Sequence, residues 1–448
     1  MKFLVFCSLC LSFNGIAQSV NYNDVGVIVN LNSPESMQIG SYFQNVRNIP
    51  TQNIIYVSVP TTEVINDAEF TLLRTQIENH LTSQNLQNQI NYLVTTKGIP
   101  LKRNGFDCIT NSSLGDCGSV DQELSLILGP HASGIGVSNG YNNPYYQENT
   151  HFTRAQFGIY LVSRLDGYAV SDVISLIDRS GPNKGVNQLD AQVVLDIFET
   201  NLIDATYFID NYLDPSKDIL QNNNWSILQD YGLGTPSNVQ NALGYIGIGN
   251  GPTDSVLLNY EWLPGSFSSV NTCSAAQTFN AATNPDNKFL IANLIQDGCT
   301  AAHGYVNCVY LVQLLETDIL LNRYLDPNAG FNLAESYFMA ERLLSHQSVL
   351  IGDPKASILI DNTAGISKPT ISNLTLYPNP SLGVFKFKGL ENLSGELRIE
   401  VANTYGQIVL EEVISAFDQQ FTVTTPGIYF ISILENDKLA QTFKLLRY

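Results

Sequence analysis

The sequence predicts an α/β protein with a mostly parallel sheet flanked by helices, followed by a small C-terminal antiparallel β-sandwich. Three observations support this prediction. Short apolar runs alternate with amphipathic segments between residues 24 and 354, a polar stretch rich in turn formers follows, and short alternating runs fill the remainder. Strands that alternate with helices pair in parallel through right-handed crossovers. Short alternating runs separated by turns are typical of antiparallel sandwiches.

Length and charge narrow the class of protein. The chain has 448 residues, of which 44% are hydrophobic, which is enough for a large buried core and predicts two or three domains. Lys and Arg total 22 against 41 Asp and Glu, a net charge of -19. This balance argues against binding to nucleic acid or to anionic lipid. The carboxylates are scattered, so we interpret the acidity as a solubilising surface.

The N-terminal segment predicts secretion. Residues 1–17 combine Lys2, the apolar run Phe3–Phe13 and small residues ending at Ala17, which is the pattern of a signal peptide. The apolar run is too short to span a bilayer, and no other run predicts a transmembrane segment. Cys10 leaves open the alternative of a lipoprotein. The sequence therefore predicts a secreted or surface-attached protein.

The first elements follow one another in a regular α/β pattern. The apolar runs predict strands, and the segments with one apolar face predict helices. Ser33 precedes Pro34 and Glu35, a sequence that favours the start of a helix. The predicted elements are a strand over Asp24–Leu31, a helix from Ser33 to Arg47, a strand over Asn53–Val59, a helix over Asp67–Leu81 and a strand over Ile90–Thr95.

A long Gly- and Asn-rich excursion then runs from Leu101 to Ala155, interrupted by a predicted helix over Asp121–Leu128. Loops of this length are usually functional or partly disordered. Its aromatic residues either line a ligand site or pack the loop against itself; they are Tyr141, Tyr145, Tyr146 and His151. In an oxidising compartment Cys108 and Cys117 are good candidates for a disulfide, because they bracket a polar loop.

Later apolar runs continue the sheet and place polar residues at the ends of strands. The predicted strands cover Gln156–Val162, Ala191–Phe198, Ala242–Ile248 and Ser266–Val270. Open α/β sheets carry their sites at the carboxyl ends of strands. By that rule the candidate binding rim consists of Arg164, Asp166, Asn250, Asn271 and Asp353, together with Cys273.

The stretch Leu290–Pro354 completes the predicted α/β domain. It contains His303-Gly304 on a short strand, and two apolar helical stripes that are typical of core packing. His303 and Cys308 have a spacing seen in metal pairs, but a metal site needs three or four converging ligands. We therefore predict no metal site and no cofactor. Among Cys273, Cys299 and Cys308, one pair and one free thiol is the simplest arrangement.

Several motifs in fixed order resemble an uncharacterised family of secreted bacterial proteins. They are VIVNLNSPES, INYLVTTKGIPL, YLVSRLDG and the closing IGDP, and the resemblance covers Val25–Ile360. It implies no established reaction. It does imply that these residues form one unit.

The same region has a more distant resemblance to gingipain-like cysteine peptidases, which implies a caspase-like layout. Those peptidases carry a catalytic His after one strand and a catalytic Cys after the next. Here Ile248 lies where the His is expected, and Cys273 lies near the position of the Cys. Two hypotheses follow. Either the protein binds an extracellular ligand without catalysis, or it is a hydrolase in which His303 activates Cys273.

The composition changes after Ile360. Residues 18–362 form the predicted α/β domain, 363–373 a linker and 374–448 a separate β module. The motifs YPNPSLGVFKF, VANTYGQIV, PGIYFISI and KLL resemble the C-terminal sorting domain of the type IX secretion system of Bacteroidetes. This resemblance implies that the secretion machinery is a partner and that the protein is extracellular or attached to the outer surface. An immunoglobulin-like adhesion module is the rival interpretation.

Overall fold

The computed structural model of the chain describes two compact units, with a boundary between residues 362 and 363. The described residues are 20–104, 117–130, 141–199, 201–232, 235–249, 258–280, 289–309, 311–326, 329–360, 374–390, 396–403, 407–417, 419–435 and 438–448. The predicted signal peptide, the predicted linker, Cys108 and Asn250 lie outside these residues.

The helices of the first unit alternate with its strands, as the apolar periodicity predicts. They are α1 (Pro34–Arg47), α2 (Asp67–Ser83), α3 (Val120–Leu124), α4 (Arg154–Phe157), α5 (Val170–Arg179), α6 (Leu202–Phe208), α7 (Asp214–Asn222), α8 (Ile291–Asp297), α9 (Thr317–Tyr324) and α10 (Leu333–Ala340). A π-helical turn, Ile209–Leu213, joins α6 to α7, and 3₁₀ turns cover Thr51–Asn53 and Leu311–Gln313.

The strands of the first unit include all those of the main sheet and several short additions. They are β1 (Val25–Asn30), β2 (Ile54–Val57), β3 (Val64–Ile65), β4 (Tyr92–Thr96), β5 (Lys102–Asn104), β6 (Cys117–Ser119), β7 (Tyr141–Asn142), β8 (Leu161–Leu165), β9 (Lys184–Val186), β10 (Gln192–Ile197), β11 (Ser226–Asp230), β12 (Ala242–Ile248), β13 (Trp262–Asn271), β14 (Ala302–Tyr305), β15 (Leu343–Leu344), β16 (Ser348–Ile351) and β17 (Ile358–Ile360).

One 10-stranded sheet forms the centre of this unit, in the order β11-β10-β12-β13-β14-β16-β8-β4-β1-β2. All neighbouring strands are parallel except β14 and β16, which are antiparallel. The sheet is therefore mostly parallel, as predicted. β16 links two halves of the sheet, β11-β10-β12-β13-β14 and β8-β4-β1-β2, and it pairs with β8 at a single position, Ile351 with Arg164.

Helices cover both faces of the sheet. Val27 and Val29 of β1 belong to the same apolar cluster as Phe43 of α1, whereas Ile28 belongs to a second cluster with Phe70 of α2. Every residue of β1, β4, β8 and β12 is buried. A parallel sheet covered on both faces requires such continuous apolar strands, which is why the sequence showed runs without alternation.

Local chemistry sets the beginnings of the first two helices. The Ser33 side chain accepts a hydrogen bond from the Ser36 amide at 3.2 Å, and Pro34 occupies the first turn of α1, as the sequence predicts. Asn66 and Glu69 form a reciprocal capping box at the start of α2. Each cap satisfies amide groups that a helix leaves without partners. The start of α1 is thereby fixed next to the end of β1.

The strand predicted over Gln156–Val162 is wrong in its position. The chain forms α4 there, and Gly158 ends that helix with a left-handed φ of 71°. Gly adopts this conformation without steric strain, so the helix terminates and the strand β8 begins only at Leu161. Arg164 was predicted to follow the strand. It lies inside β8 instead.

The second unit contains antiparallel sheets, in agreement with the predicted β module. Its strands are β18 (Thr375–Tyr377), β19 (Val384–Lys388), β20 (Leu397–Asn403), β21 (Ile408–Val413), β22 (Phe421–Thr422), β23 (Gly427–Glu435) and β24 (Lys438–Arg447). They form the sheets β18-β19-β22 and β21-β20-β23-β24. Phe385 and Phe387 of one sheet share an apolar core with Ile399 and Ile431 of the other.

Candidate functional site

The predicted rim residues that the structure describes lie in different surroundings. Arg164 lies inside β8, and Asp166 follows that strand. Asp353 follows β16, whereas Asn271 and Cys273 lie at the carboxyl end of β13. Each position therefore has its own set of contacts.

Arg164 is fully buried, and its side chain contacts two other segments of the chain. Its guanidinium donates two hydrogen bonds of 2.8 Å to the Asp121 carboxylate of α3. It also donates to the carbonyl oxygens of Ile99 and Pro100, at 2.9 and 2.8 Å. A buried, bidentate arginine of this kind fixes geometry. Arg164 thus positions α3 and the segment after β4, and does not itself face a ligand.

Asp353 is also buried, with no exposed surface. Its carboxylate accepts a hydrogen bond from the Tyr22 hydroxyl at 2.8 Å. It also forms an ion pair with Arg47, with 2.7 Å between Oδ2 and Nε. These contacts join the end of β16 to the end of α1. Asp353 therefore stabilises the fold rather than lining a binding surface.

A pocket of about 410 Å³ opens beside Asp166. Residues that follow β1, β2, β4 and β8 line it together with Phe279, which follows β13, so it lies at the carboxyl edge of the sheet. Its polar and aromatic lining includes Asn32, Glu35, Glu63, Lys97, Asp166 and Tyr168. Among the predicted rim residues that the structure describes, only Asp166 borders this pocket.

The topology explains why a pocket forms at this point. From β1 the chain moves to β2 at the end of the sheet, whereas from β4 it moves in the opposite direction to β8. Where the direction of strand connections reverses, the helices diverge and leave a crevice outside the carboxyl ends of the strands. The pocket occupies the crevice between β1 and β4.

Gly98 allows the close approach of β4 and α1 at the pocket wall. Its φ is 95°, and a Cβ atom at this position would lie 2.2 Å from Ser33 Oγ. No other residue type fits both the conformation and the space. Because Ser33 caps α1, Gly98 also keeps that cap in place.

Lys97 and Asp166 form an ion pair at the base of the pocket, with 3.5 Å between Nζ and Oδ1. Lys97 Nζ also donates hydrogen bonds to the carbonyl oxygens of Gly167 at 2.9 Å and Phe279 at 3.1 Å. Burial raises the pKa of Asp166, and the charges of Lys97 and Arg164 act in the opposite direction. The lysine therefore ties together three segments that surround the pocket.

Near the carboxyl end of β13, Cys273 forms a disulfide and is not a free thiol. Cys273 is bonded to Cys308, whereas Cys299 is free and buried. This is the predicted arrangement of one pair and one free thiol. The neighbouring Asn271 accepts a hydrogen bond from the Tyr305 hydroxyl at 3.2 Å. The side chains at the ends of β13 and β14 are thus joined covalently and by hydrogen bonding.

His303 lies in the middle of the sheet, away from this disulfide. Its Nδ1 bonds Ser269 Oγ at 2.8 Å and its Nε2 bonds Ser348 Oγ at 3.1 Å. Both ring nitrogens are therefore occupied, and neither faces Cys273, which follows the end of the strand that carries Ser269. Burial lowers the pKa of His303 to about 4, so the ring is neutral at pH 7. The structure does not bring His303 and Cys273 together.

The comparison with known proteins concerns the second unit. Residues 375–446 match the family model of the secretion system C-terminal sorting domain. The match spans β18 to β24. No curated protein matches the chain.

This sorting tail indicates export by the type IX secretion system, and hence a secreted or cell-surface protein. Two further findings apply to the part of the chain that the structure describes. None of its helices has the length and apolar character needed to cross a bilayer. It also contains no group of three or more His, Cys, Asp or Glu side chains placed to hold a metal ion.

Lys97 and Glu63 line the pocket but were not predicted from the sequence. Lys97 follows the strand predicted over Ile90–Thr95, so the rule that selected Asp166 would have selected Lys97 as well. Glu63 lies on an irregular segment, which carries no such signal.

The aromatic residues of the long excursion pack against other parts of the α/β unit. The Tyr145 ring lies 4.7 Å from the Phe157 ring, and the His151 ring lies 5.1 Å from the Phe331 ring, between centroids. The Tyr146 hydroxyl donates to Glu316 at 2.5 Å.

Proposed function

We propose that the chain is an exported binding protein whose α/β unit takes a ligand in the pocket beside Asp166 and catalyses no reaction. The observation that carries this proposal is the disulfide between Cys273 and Cys308. The nucleophile of a cysteine peptidase is a thiolate, and a sulfur in a disulfide cannot act as one. The cysteine predicted as a nucleophile is thus unavailable.

The predicted caspase-like layout would place a histidine at the end of β12, where Ile248 is buried. The alternative hydrolase relies on His303. It would require reduction of the disulfide and release of His303 from Ser269 or Ser348. The first change breaks a covalent bond and the second breaks a buried hydrogen bond, which supports the binding function over the hydrolase.

The pocket supports a binding function through its size and place in the fold. Its volume of about 410 Å³ falls within the range of about 300–1,000 Å³ that is usual for small-molecule sites. It lies at the reversal of strand order, where open α/β sheets bind ligands. A ligand of the size of an amino acid or a single sugar would fit within it.

A labelling experiment tests the absence of a cysteine nucleophile. Native mature protein is treated with an alkyne-tagged iodoacetamide without reductant, and modified peptides are identified by mass spectrometry. We expect no modification of Cys273 or of the buried Cys299. The Cys308→Ala variant, which frees Cys273, should be labelled to the same extent with and without His303→Ala. Modification of native Cys273 that disappears in His303→Ala would establish the hydrolase instead.

A second experiment tests the pocket. Small polar compounds are screened for an increase in the melting temperature of the mature protein. Asn32→Trp should abolish the effect of every compound that binds there, because an indole fills the entrance. Leu189→Trp is the matched control, since Leu189 is an exposed surface residue outside the pocket. Compounds that stabilise both variants equally would place ligand binding elsewhere.

The export route has its own test. We expect a chain that lacks residues 374–448 to accumulate in the periplasm, because the sorting domain is missing. Cell fractionation and an immunoblot measure its location. Export of the truncated chain at the level of the full-length protein would show that the tail is not the export signal.

A further inference from the structure

The charged groups around the pocket differ in how many partners they already have. Among the described residues of the lining, Lys97 is the only basic one, and an ammonium group has three N–H donors. Its acceptors are Asp166 Oδ1, the Gly167 carbonyl and the Phe279 carbonyl, at 3.5, 2.9 and 3.1 Å. Three acceptors match three donors. The lysine therefore has no N–H group left to bind an anionic ligand.

The carboxylates retain capacity for hydrogen bonds. Glu63 Oε2 accepts from Thr278 Oγ1 at 2.7 Å, and Glu63 Oε1 accepts from the Phe279 amide at 2.6 Å. A carboxylate has about four lone-pair sites, so each oxygen can accept once more. The two contacts hold the carboxylate in a fixed orientation. Glu63 is thus a preorganised acceptor in the pocket wall.

Glu35 adds a second negative charge at the entrance. It is exposed, and it lies in the first turn of α1. Tyr168, which is partly exposed, also lines the pocket, whereas the Phe279 side chain is buried. An aromatic ring attracts a cation placed within about 6 Å of its face. The lining therefore combines acceptors, negative charge and one partly exposed aromatic ring.

We infer that the ligand of this pocket is an organic cation that carries an ammonium group, an inference that rests on the proposed binding function. Such a group supplies the N–H donors that Glu35 and Glu63 can accept. An anion would face the carboxylates of Glu35, Glu63 and Asp166 with the charge of Lys97 already paired. A cation of this kind comes either from a basic side chain of a peptide or from a free polyamine.

Isothermal titration calorimetry on the mature full-length protein at pH 7.5 and low salt tests the inference. The probes are Nα-acetyl-lysine methylamide for a peptide side chain and spermidine for a free polyamine. The neutral counterpart is Nα,Nε-diacetyl-lysine methylamide, which keeps the shape and loses the charge. We expect at least one cationic probe to bind, and the neutral compound to bind at least about tenfold more weakly than the lysine probe.

Two variants locate the binding group. Glu35→Gln and Glu63→Gln should each weaken binding of the cation by about tenfold, because each removes one charge-assisted hydrogen bond. Asp218→Asn is the matched control: Asp218 is an exposed acidic residue of α7 outside the pocket, and its variant should bind as the native protein does. Glu35 is exposed, so its substitution leaves the fold intact. Unfolding curves of the variants verify this.

The outcomes separate the ligand class from the binding function. Equal binding of the neutral and cationic lysine compounds, or binding unaffected by both glutamate substitutions, overturns the cationic ligand. If neither cation binds while other compounds lose their effect in Asn32→Trp, the cationic ligand is also overturned, but the binding pocket stands. If no compound responds to Asn32→Trp, the pocket itself fails as a binding site.

Discussion

Acidification should weaken the α/β unit through His303. The His303 ring is buried, and its neighbours are Ser269, Ser348, Tyr305 and Tyr337. The Glu341 carboxylate lies beyond Ser348 and accepts hydrogen bonds from Ser348 and His346. Burial lowers the pKa of the ring from 6.5 to about 4 in the folded state. The unfolded chain therefore binds a proton below pH 6.5 that the folded chain does not bind until about pH 4. The stabilisation is complete above pH 6.5 and is lost as the pH falls towards 4.

The magnitude follows from the size of this shift. One pKa unit corresponds to about 1.4 kcal/mol, so the full loss is about 3 kcal/mol and the loss between pH 7 and pH 5 is about 2 kcal/mol. Asp196 acts in the opposite direction, because burial raises its pKa to about 7 and folding then favours its protonated form as the pH falls. The pH dependence of the native protein alone therefore does not isolate His303. A comparison with a variant does.

His303→Gln removes the titrating ring and keeps side-chain groups that can form hydrogen bonds. Urea unfolding is followed at several pH values by tryptophan fluorescence. Both tryptophans of the chain, Trp225 and Trp262, lie in the α/β unit, so the signal reports on that unit. We expect the difference in unfolding free energy between the native protein and the variant to shrink by about 2 kcal/mol between pH 7 and pH 5. A difference that does not change with pH would refute this account of His303.

Gly98→Ala and Arg47→Met test the contacts at the two ends of α1, each beside a matched control variant. Gly98→Ala should destabilise the unit by about 2–3 kcal/mol, because the new Cβ combines a strained φ with a clash against the cap of α1. Gly330→Ala, with φ of 66° and no atom within 4 Å of the new Cβ, should cost only about 1 kcal/mol. Arg47→Met should lower the free energy of unfolding by about 3 kcal/mol or more, because it leaves the Asp353 carboxylate buried without its cation. Lys217→Met removes only the solvent-accessible ion pair with Asp214, so it should change that free energy by less than about 0.5 kcal/mol. Chemical unfolding measures all four, and equal losses in a variant and its control would contradict the structural explanation.

Local sequence patterns predicted the individual strands well. The runs Asp24–Leu31 and Ala191–Phe198 contain β1 and β10 within one residue at each end. Both strands are buried on two faces, so their apolar character is continuous and their limits are visible in the sequence. The strand around Arg164 was misplaced because Gly158 ends a short helix there, a conformational choice that apolar periodicity does not show.

The order of the strands in the sheet could not be predicted from local sequence patterns. The expected binding rim assumed that polar residues near strand ends share one surface, whereas Arg164 and Asp353 are buried in ion pairs with residues distant in the chain. The pairing of Cys273 with Cys308 depends on β13 and β14 being neighbours, which no local pattern reveals. Asp166 was found from its position after a strand. Glu63 and Gly98 act through contacts with distant segments, and only the folded chain brings those together.

The short strand β16 determines when the large sheet can be completed. Ser348–Ile351 pairs with β14 on one side and β8 on the other, and among the described strands it alone connects the two halves. A chain synthesised only to residue 347 would expose β8 and β14 as unpaired edges, and such edges promote association between chains. The sheet is therefore complete only after β16, one of the last elements before the sorting domain, has paired with its neighbours. A nascent chain becomes protected from edge-to-edge aggregation shortly before its export tail is made.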